Sequence, residues 1–247
     1  MSDLEAQRTA IRPLLDESSP NDAMASYYAL HHDPARTRLF IHYDENRKAT
    51  GMLVRAQTGL DLFRPLVIVR AQDQEAVISL LHVGLQPGRP YYVTMPPDFG
   101  DVAFKELQVE TPEVLRLYAL DVARFQPEIN VLVTSLAAAD GLPRFEIRQG
   151  DKQMAMAGVN WKTDRFAELH VFVETAARGR GWGRAVVSAL TNRLLEQRVR
   201  PLYVVSENNT DSIRLAERVG FADTQAREFS CFAVLEPPES KHGEAHG

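Results

Sequence analysis

Between Glu168 and Leu194 the chain changes its hydrophobic period with no linker in between. Leu169, Val171 and Val173 alternate as one face of a strand, whereas Val186, Val187, Leu190 and Leu194 recur as the stripe of a helix. The six residues Arg178-Gly179-Arg180-Gly181-Trp182-Gly183 lie in the passage from one to the other. A strand that runs through glycines into a helix commits this part of the chain to an α/β arrangement. The first turn of a helix carries N–H groups without intrahelical partners, at the positive end of the helix dipole. Glycines let the backbone aim those groups inward and leave no Cβ to hold a ligand off. Such a corner suits a phosphate or a pyrophosphate, and Arg178, Arg180 and Arg184 add positive charge beside it. The plainer alternative is a turn whose glycines only let the helix pack closely on the strand.

The spacing narrows the phosphate ligand. A nucleotide P-loop needs Lys followed by Ser or Thr after its last glycine, and no lysine follows here. The dinucleotide fingerprint G-x-G-x-x-G fails as well, because its last position falls on Arg184 or Val186. An RNA-binding arginine–glycine segment would need repetition in a disordered setting, and neither is present. What fits is R-x-x-G-x-G, as Arg178, Gly181 and Gly183. Here the sequence resembles the GNAT superfamily of acyl-CoA-dependent N-acetyltransferases. A second signature follows the PLYVVSE strand, where the family pattern N-x-x-[AS]-x-x-L-Y-x-x-x-G-F is met at Asn209, Ser212, Leu215, Gly220 and Phe221. The resemblance covers roughly residues 108–236.

The resemblance implies a mixed, mostly antiparallel sheet flanked by helices (α+β in class), with acetyl-CoA as the acyl donor. It assigns the pyrophosphate to the loop and helix start, Arg178, Gly179, Arg180, Gly181, Trp182, Gly183 and Arg184. It pairs the pantetheine arm with the backbone of Val171, Phe172 and Val173 and gives the Val173 N–H to the oxyanion. Asn209 and Ser212 would bind further along the arm. Attack by an amine needs a base: Glu168, at the start of the strand, is the first candidate, with His170 next on the same strand face and Glu207 behind them. The chain departs from the pattern at Ala216, where the family often carries the tyrosine that protonates the leaving thiolate. Tyr203, Ser206 and Ser230 are the possible substitutes. An acyl-CoA-binding sensor without turnover is therefore the competing reading.

Composition sets wider limits. The chain has 247 residues with 28 basic and 33 acidic side chains, a net charge of −5. That balance disfavours a sequence-blind nucleic-acid binder, which needs a basic surface. The single cysteine, Cys231, reads as a core side chain in the last strand and cannot form an internal disulfide. With a polar N-terminus and no apolar run near the ~20 residues of a membrane span, it suggests a reducing, cytoplasmic setting. No metal site is expected, because the neighbours His31 and His32 point apart on regular structure. The acceptor would be a small-molecule or peptide amine, and the protein a monomer or homodimer.

The chain reads as two α/β halves: residues 1–106, then 107–236, with a polar, disordered tail over 237–247. In the first half a short helix over DAMASYYALHH, capped at Asn21 or Asp22, precedes strands at TRLFIHYDE, TGMLVRAQTG and PLVIVRA. A helix capped by Asp73 and a strand at PYYVTM follow. This is the order of a second GNAT-like unit. Ala71–Glu75 holds no glycine, and Asp73 and Glu75 would repel a pyrophosphate, so such a copy would have lost the cofactor; an unrelated α/β cap is the alternative. In the second half, TPEVLRLYALDVARF is expected as an amphipathic helix with Thr111 as cap and Pro112 in the first turn, ahead of a hairpin turning at Gly150-Asp151.

Overall fold

The computed structural model describes residues 3–59, 61–136 and 141–237. The disordered tail expected over 237–247 lies outside them except for Pro237. The chain forms two compact units, neither continuous in sequence. Unit 1 holds residues 1–14, 32–113 and 228–247, and unit 2 holds 15–31 and 114–227.

In unit 1, helix α1 (Asp3–Ile11) precedes strands β1 (Thr37–Tyr43), β2 (Ala49–Ala56) and β3 (Leu66–Ala71), helix α3 (Gln74–Gly84), β4 (Pro90–Met95) and α4 (Gly100–Glu106). Helix α2 (Ala23–Ser26) falls in unit 2. β1, β2 and β3 pair antiparallel, and β3 lies parallel to β4 with Leu66 opposite Tyr92 and Ile68 opposite Thr94. Asp73 caps α3 as expected, its Oδ1 accepting the Ala76 N–H at 2.8 Å. The apolar face of α3 (Val77, Leu80, Leu81) closes over Leu53, Val67 and Val69.

Unit 2 continues with β5 (Gln108–Leu120), which begins in unit 1, then β6 (Thr134–Leu136), β7 (Arg144–Gln149), β8 (Lys152–Lys162) and β9 (Phe166–Val173). Helix α5 (Trp182–Glu196), β10 (Arg200–Ser206), α6 (Thr210–Val219) and β11 (Phe221–Val234) follow. The strand order from β5 is β5-β10-β9-β8-β7-β6, with β9 and β10 parallel and the other registered pairs antiparallel. Val186, Val187, Leu190 and Leu194 are fully buried against the sheet, as their spacing predicts.

The two halves share one succession of hairpin, strand, helix, parallel strand and helix. Their closing strands are exchanged along the chain. β5, which follows α4, pairs with β10, and the last residues of β11, which follows α6, pair with β4 from Phe229–Met95 to Val234–Pro90.

The helix expected at residues 111–125 is instead strand β5 as far as Leu120, with a turn from Asp121. Leu115–Ala119 pair with β10, and Tyr118, Ala119 and Leu120 are buried in the sheet. Thr111 takes a left-handed φ of 47° rather than capping a helix. The stripe at Val114, Leu115 and Tyr118 served either period, and pairing with a buried neighbour overrides local preference. The short N-terminal helix is irregular. It opens as a 3-10 turn capped by Ser19, whose Oγ accepts the Asn21 N–H at 3.2 Å, and widens into a π-turn over Tyr27–His31. The last strand spans Phe221–Val234 and contains Cys231.

Candidate active site

β9 and β10 run side by side only at their beginnings. Their register extends from Phe166–Arg200 to Leu169–Tyr203, yet β9 continues to Val173 and β10 to Ser206. On its other edge β9 stays paired with β8 through Val173. The Glu174 N–H donates to the Met154 carbonyl at 2.8 Å. Strand groups alternate, so the backbone of Phe172 also faces β8, while Val171 and Val173 present N–H and C=O towards the edge that β10 has left. Of the three residues expected to pair with a pantetheine arm, Val171 and Val173 are therefore placed for it. Phe172 is not; its side chain is 45% exposed.

A 3-10 turn at Thr175–Ala177 leads into the glycine loop. Gly179 and Gly181 have φ of 76° and 78°, values that an L side chain adopts at a cost. A Cβ at either would meet nothing within 4 Å, so these two glycines serve the backbone turn and leave open space above it. Gly183 serves packing: a Cβ there would come within 2.9 Å of Val173 Cγ2. The close packing of the plainer alternative is thus found at Gly183, and open space at Gly179 and Gly181. Gly181 is the N-cap of α5 and offers no side chain to its amides; the first intrahelical bond runs from the Ala185 N–H to the Gly181 carbonyl. The N–H groups ahead of Ala185 have no intrahelical acceptor. Arg178 and Arg180 are exposed, and the Arg180 guanidinium lies 5.1 Å from the Trp182 ring centre. Arg184 is turned aside, paired with Glu128 at 3.0 Å, and Glu128 is held in turn by its N–H to Ser188 Oγ.

Glu168 of β9 is held by two donors from β8. The β8–β9 register slips between Val159 and Trp161, so two residues of β8 meet one of β9. Asn160 Nδ2 donates to Glu168 Oε1 and Trp161 Nε1 to Oε2, both at 2.7 Å. The fully buried Trp161 ring is itself stacked on Tyr27 at 5.2 Å. Burial raises the Glu168 carboxyl above the usual 4.5, against the two hydrogen bonds, which act to lower it. Sequence reasoning missed Asn160, Trp161 and Tyr27, because only the bulge aims adjacent β8 side chains at one carboxylate. His170 lies across Gly158 of β8, where a Cβ would come within 2.6 Å of its ring.

Across the parting, Asn209 Oδ1 accepts the Ser212 N–H at 3.1 Å and so caps α6, which ends at Gly220 with a φ of 112°. Ser212 Oγ lies 2.8 Å from Tyr203 Oη. Burial raises the Tyr203 pKa, keeping the phenol protonated, while the Ser212 bond opposes this. Glu207 stands apart, 3.8 Å from Arg116, and Ser230 is fully buried in unit 1. Cys231 is 1% exposed, and burial pushes its thiol up to about 11, the state of a core side chain and not of a nucleophile. Among the described residues no group of three or more His, Cys, Asp or Glu could hold a metal, and no helix is long and apolar enough to cross a membrane.

Residues 147–230 match the family model described as FR47-like protein. No curated protein matches the chain. Among solved structures, an acetyltransferase of the GNAT family from Novosphingobium aromaticivorans superposes with a TM-score of 0.57 at 16% identity, covering 75% of this chain and 89% of its own. A GCN5-related N-acetyltransferase from Sphaerobacter thermophilus reaches 0.64 at 11% identity, with 94% of both chains covered. A tandem GNAT protein from the clavulanic acid biosynthesis pathway reaches 0.59 at 13% identity, over 96% of this chain and 97% of its own. At these identities the likeness is one of fold. The mixed, mostly antiparallel architecture implied by the resemblance is borne out, and the family model falls within the half that carries both motifs.

Proposed function

We propose that this protein transfers an acyl group, acetyl first among them, from acyl-CoA to a primary amine. The observation that carries the reading is the uncapped start of α5, open to solvent at Gly179 and Gly181, beside a β9 edge that β10 has vacated. Loop amides, Arg178 and Arg180 would hold the pyrophosphate, and Val171 and Val173 the pantetheine amides. Bound acetyl-CoA would supply the acyl group as an activated thioester. Glu168, with its raised pKa and one donor on each oxygen, accepts the acceptor's proton directly or through a water. The Val173 N–H, on the vacated edge, would stabilise a developing oxyanion. His170 is the second candidate base.

The acid missing at Ala216 is supplied, in this reading, by the hydroxyl pair Tyr203–Ser212 at the mouth of the parting. Tyr203→Phe should lower kcat about 10²-fold, the low end for a positioned acid, with coenzyme A affinity unchanged. An undiminished kcat removes Tyr203 from the mechanism. The buried Ala216 is the one observation that favours the sensor reading. Thiol release from acetyl-CoA with a panel of polyamines, amino acids and aminoglycosides separates enzyme from sensor.

Unit 1 reads best as a copy that has lost its cofactor. Its helix α3 stands where α5 does in the shared succession, but the Asp73 carboxylate already takes the Ala76 amide and sets a negative charge where a pyrophosphate would lie. Where the β3–β4 register ends at Ile68–Thr94, the half-buried Arg70 pairs with Glu228, and Thr94 Oγ1 donates to the same carboxylate at 3.1 Å. Titration calorimetry should accordingly give one coenzyme A per chain. A stoichiometry of two would overturn the assignment of unit 1.

A further inference from the structure

We infer that unit 2 carries a binding site for a small zwitterion, an α-amino acid with a short apolar side chain, in a cavity at the start of β9. The cavity measures about 310 Å3 and lies between the irregular N-terminal helix and the β8–β9 turn. That volume is at the small end of the ~300–1,000 Å3 typical of ligand sites. Ser26 lines it, is 3% exposed, and its hydroxyl has no hydrogen-bond partner among the described residues. A buried hydroxyl is normally satisfied; this one lies in the cavity wall without a partner, and turning its side chain towards a guest would supply one.

The charges around it decide the ligand's chemistry. Glu17 and Asp164 stand against Lys162 and Arg165, with His31 bonded to Glu17 at 2.8 Å. A purely anionic guest would meet two carboxylates, and a purely cationic one two cations. A guest carrying both charges on one short backbone satisfies each pair, and Ser26 can donate to one end or accept from the other. Ala23 and Phe166 leave an apolar wall for a short side chain. The turn is preformed: Thr163 Oγ1 accepts the N–H groups of Arg165 and Phe166 at 3.2 and 3.0 Å. The site shares no residue with the α5 loop and does not rest on acyl transfer. It does adjoin Glu168. Phe166 lies two residues before it on the same strand face, and Tyr27, next to Ser26, stacks on the Trp161 that holds its carboxylate.

The test uses three molecules of one shape and different charge, L-norvaline, pentanoate and butylamine, titrated into the 15N-labelled full chain without acetyl-CoA. L-norvaline should shift amide resonances of residues 23–31 and 162–166. Pentanoate and butylamine should bind at least about tenfold more weakly, each lacking one charge-assisted contact. Ser26→Ala should weaken L-norvaline binding several-fold. Arg165→Ala, at an exposed position that leaves the fold intact, should do the same and keeps the test decisive if the Ser26 variant misfolds. Equal shifts from all three molecules, or none from L-norvaline, overturn the inference. Repeating the titration on Gly181→Glu separates this outcome from any failure of the acyl-CoA reading, since the shifts should persist there.

Discussion

Gly181→Glu should abolish the thermal stabilisation that coenzyme A or acetyl-CoA confers, with the fold intact. A ligand at a hundred times its Kd stabilises by about 2.7 kcal/mol, or roughly 5–10 °C for a chain of this size, and that shift should vanish. Two effects act together. Gly181 sits at a φ of 78°, so any side chain strains the turn, and a carboxylate at the N-cap competes for the amides that would hold the pyrophosphate. No atom within 4 Å obstructs a Cβ there, so the variant should still fold. Gly181→Ala carries the strain without the charge and should lose only part of the shift. An undiminished shift in the glutamate variant would move the cofactor away from α5.

Glu168→Gln should lower kcat by about 10²–10⁴-fold, the range of a positioned general base, while coenzyme A affinity stays within twofold, since the residue lies outside the loop. The glutamine oxygen can keep one of the two donors, but its NH2 group meets a second N–H, Asn160 Nδ2 or Trp161 Nε1, at an expected cost of about 1–3 kcal/mol. The pH profile separates base from scaffold. A carboxyl must be ionised to accept a proton, so wild-type kcat/KM should fall as pH drops through the Glu168 pKa. Burial places that limb above the usual 4.5. The variant should lack the limb. Equal rates and equal profiles would exclude Glu168 from the chemistry.

What could be read from the residues was set by backbone periods and by side chains that act on their neighbours in sequence. The strand–glycine–helix passage and the Asp73 cap are local events, and each stands where expected. Segments whose form is chosen by distant partners were illegible. The stripe of Val114, Leu115 and Tyr118 fits a helix as well as a strand, and pairing with residues some 85 positions later decides it. The site divides in the same way. Its loop glycines are visible in sequence, although not that Gly183 packs while Gly179 and Gly181 turn. The Asn160–Trp161 clasp on Glu168 depends on a single slip in register, which no residue type announces. The sequence sets Arg184 beside the phosphate, since nothing local reveals its partner Glu128.

The exchange of closing strands bears on how the chain comes to be folded as it is made. β4 has its antiparallel neighbour only in residues 229–234, so the unit begun first at the ribosome is finished last, after every residue of the other has emerged. Until then its edge offers unpaired backbone to any passing strand. A stop codon just before Glu228 would spare the glycine loop and every proposed catalytic group, yet strike at the stability of the half that carries none of them.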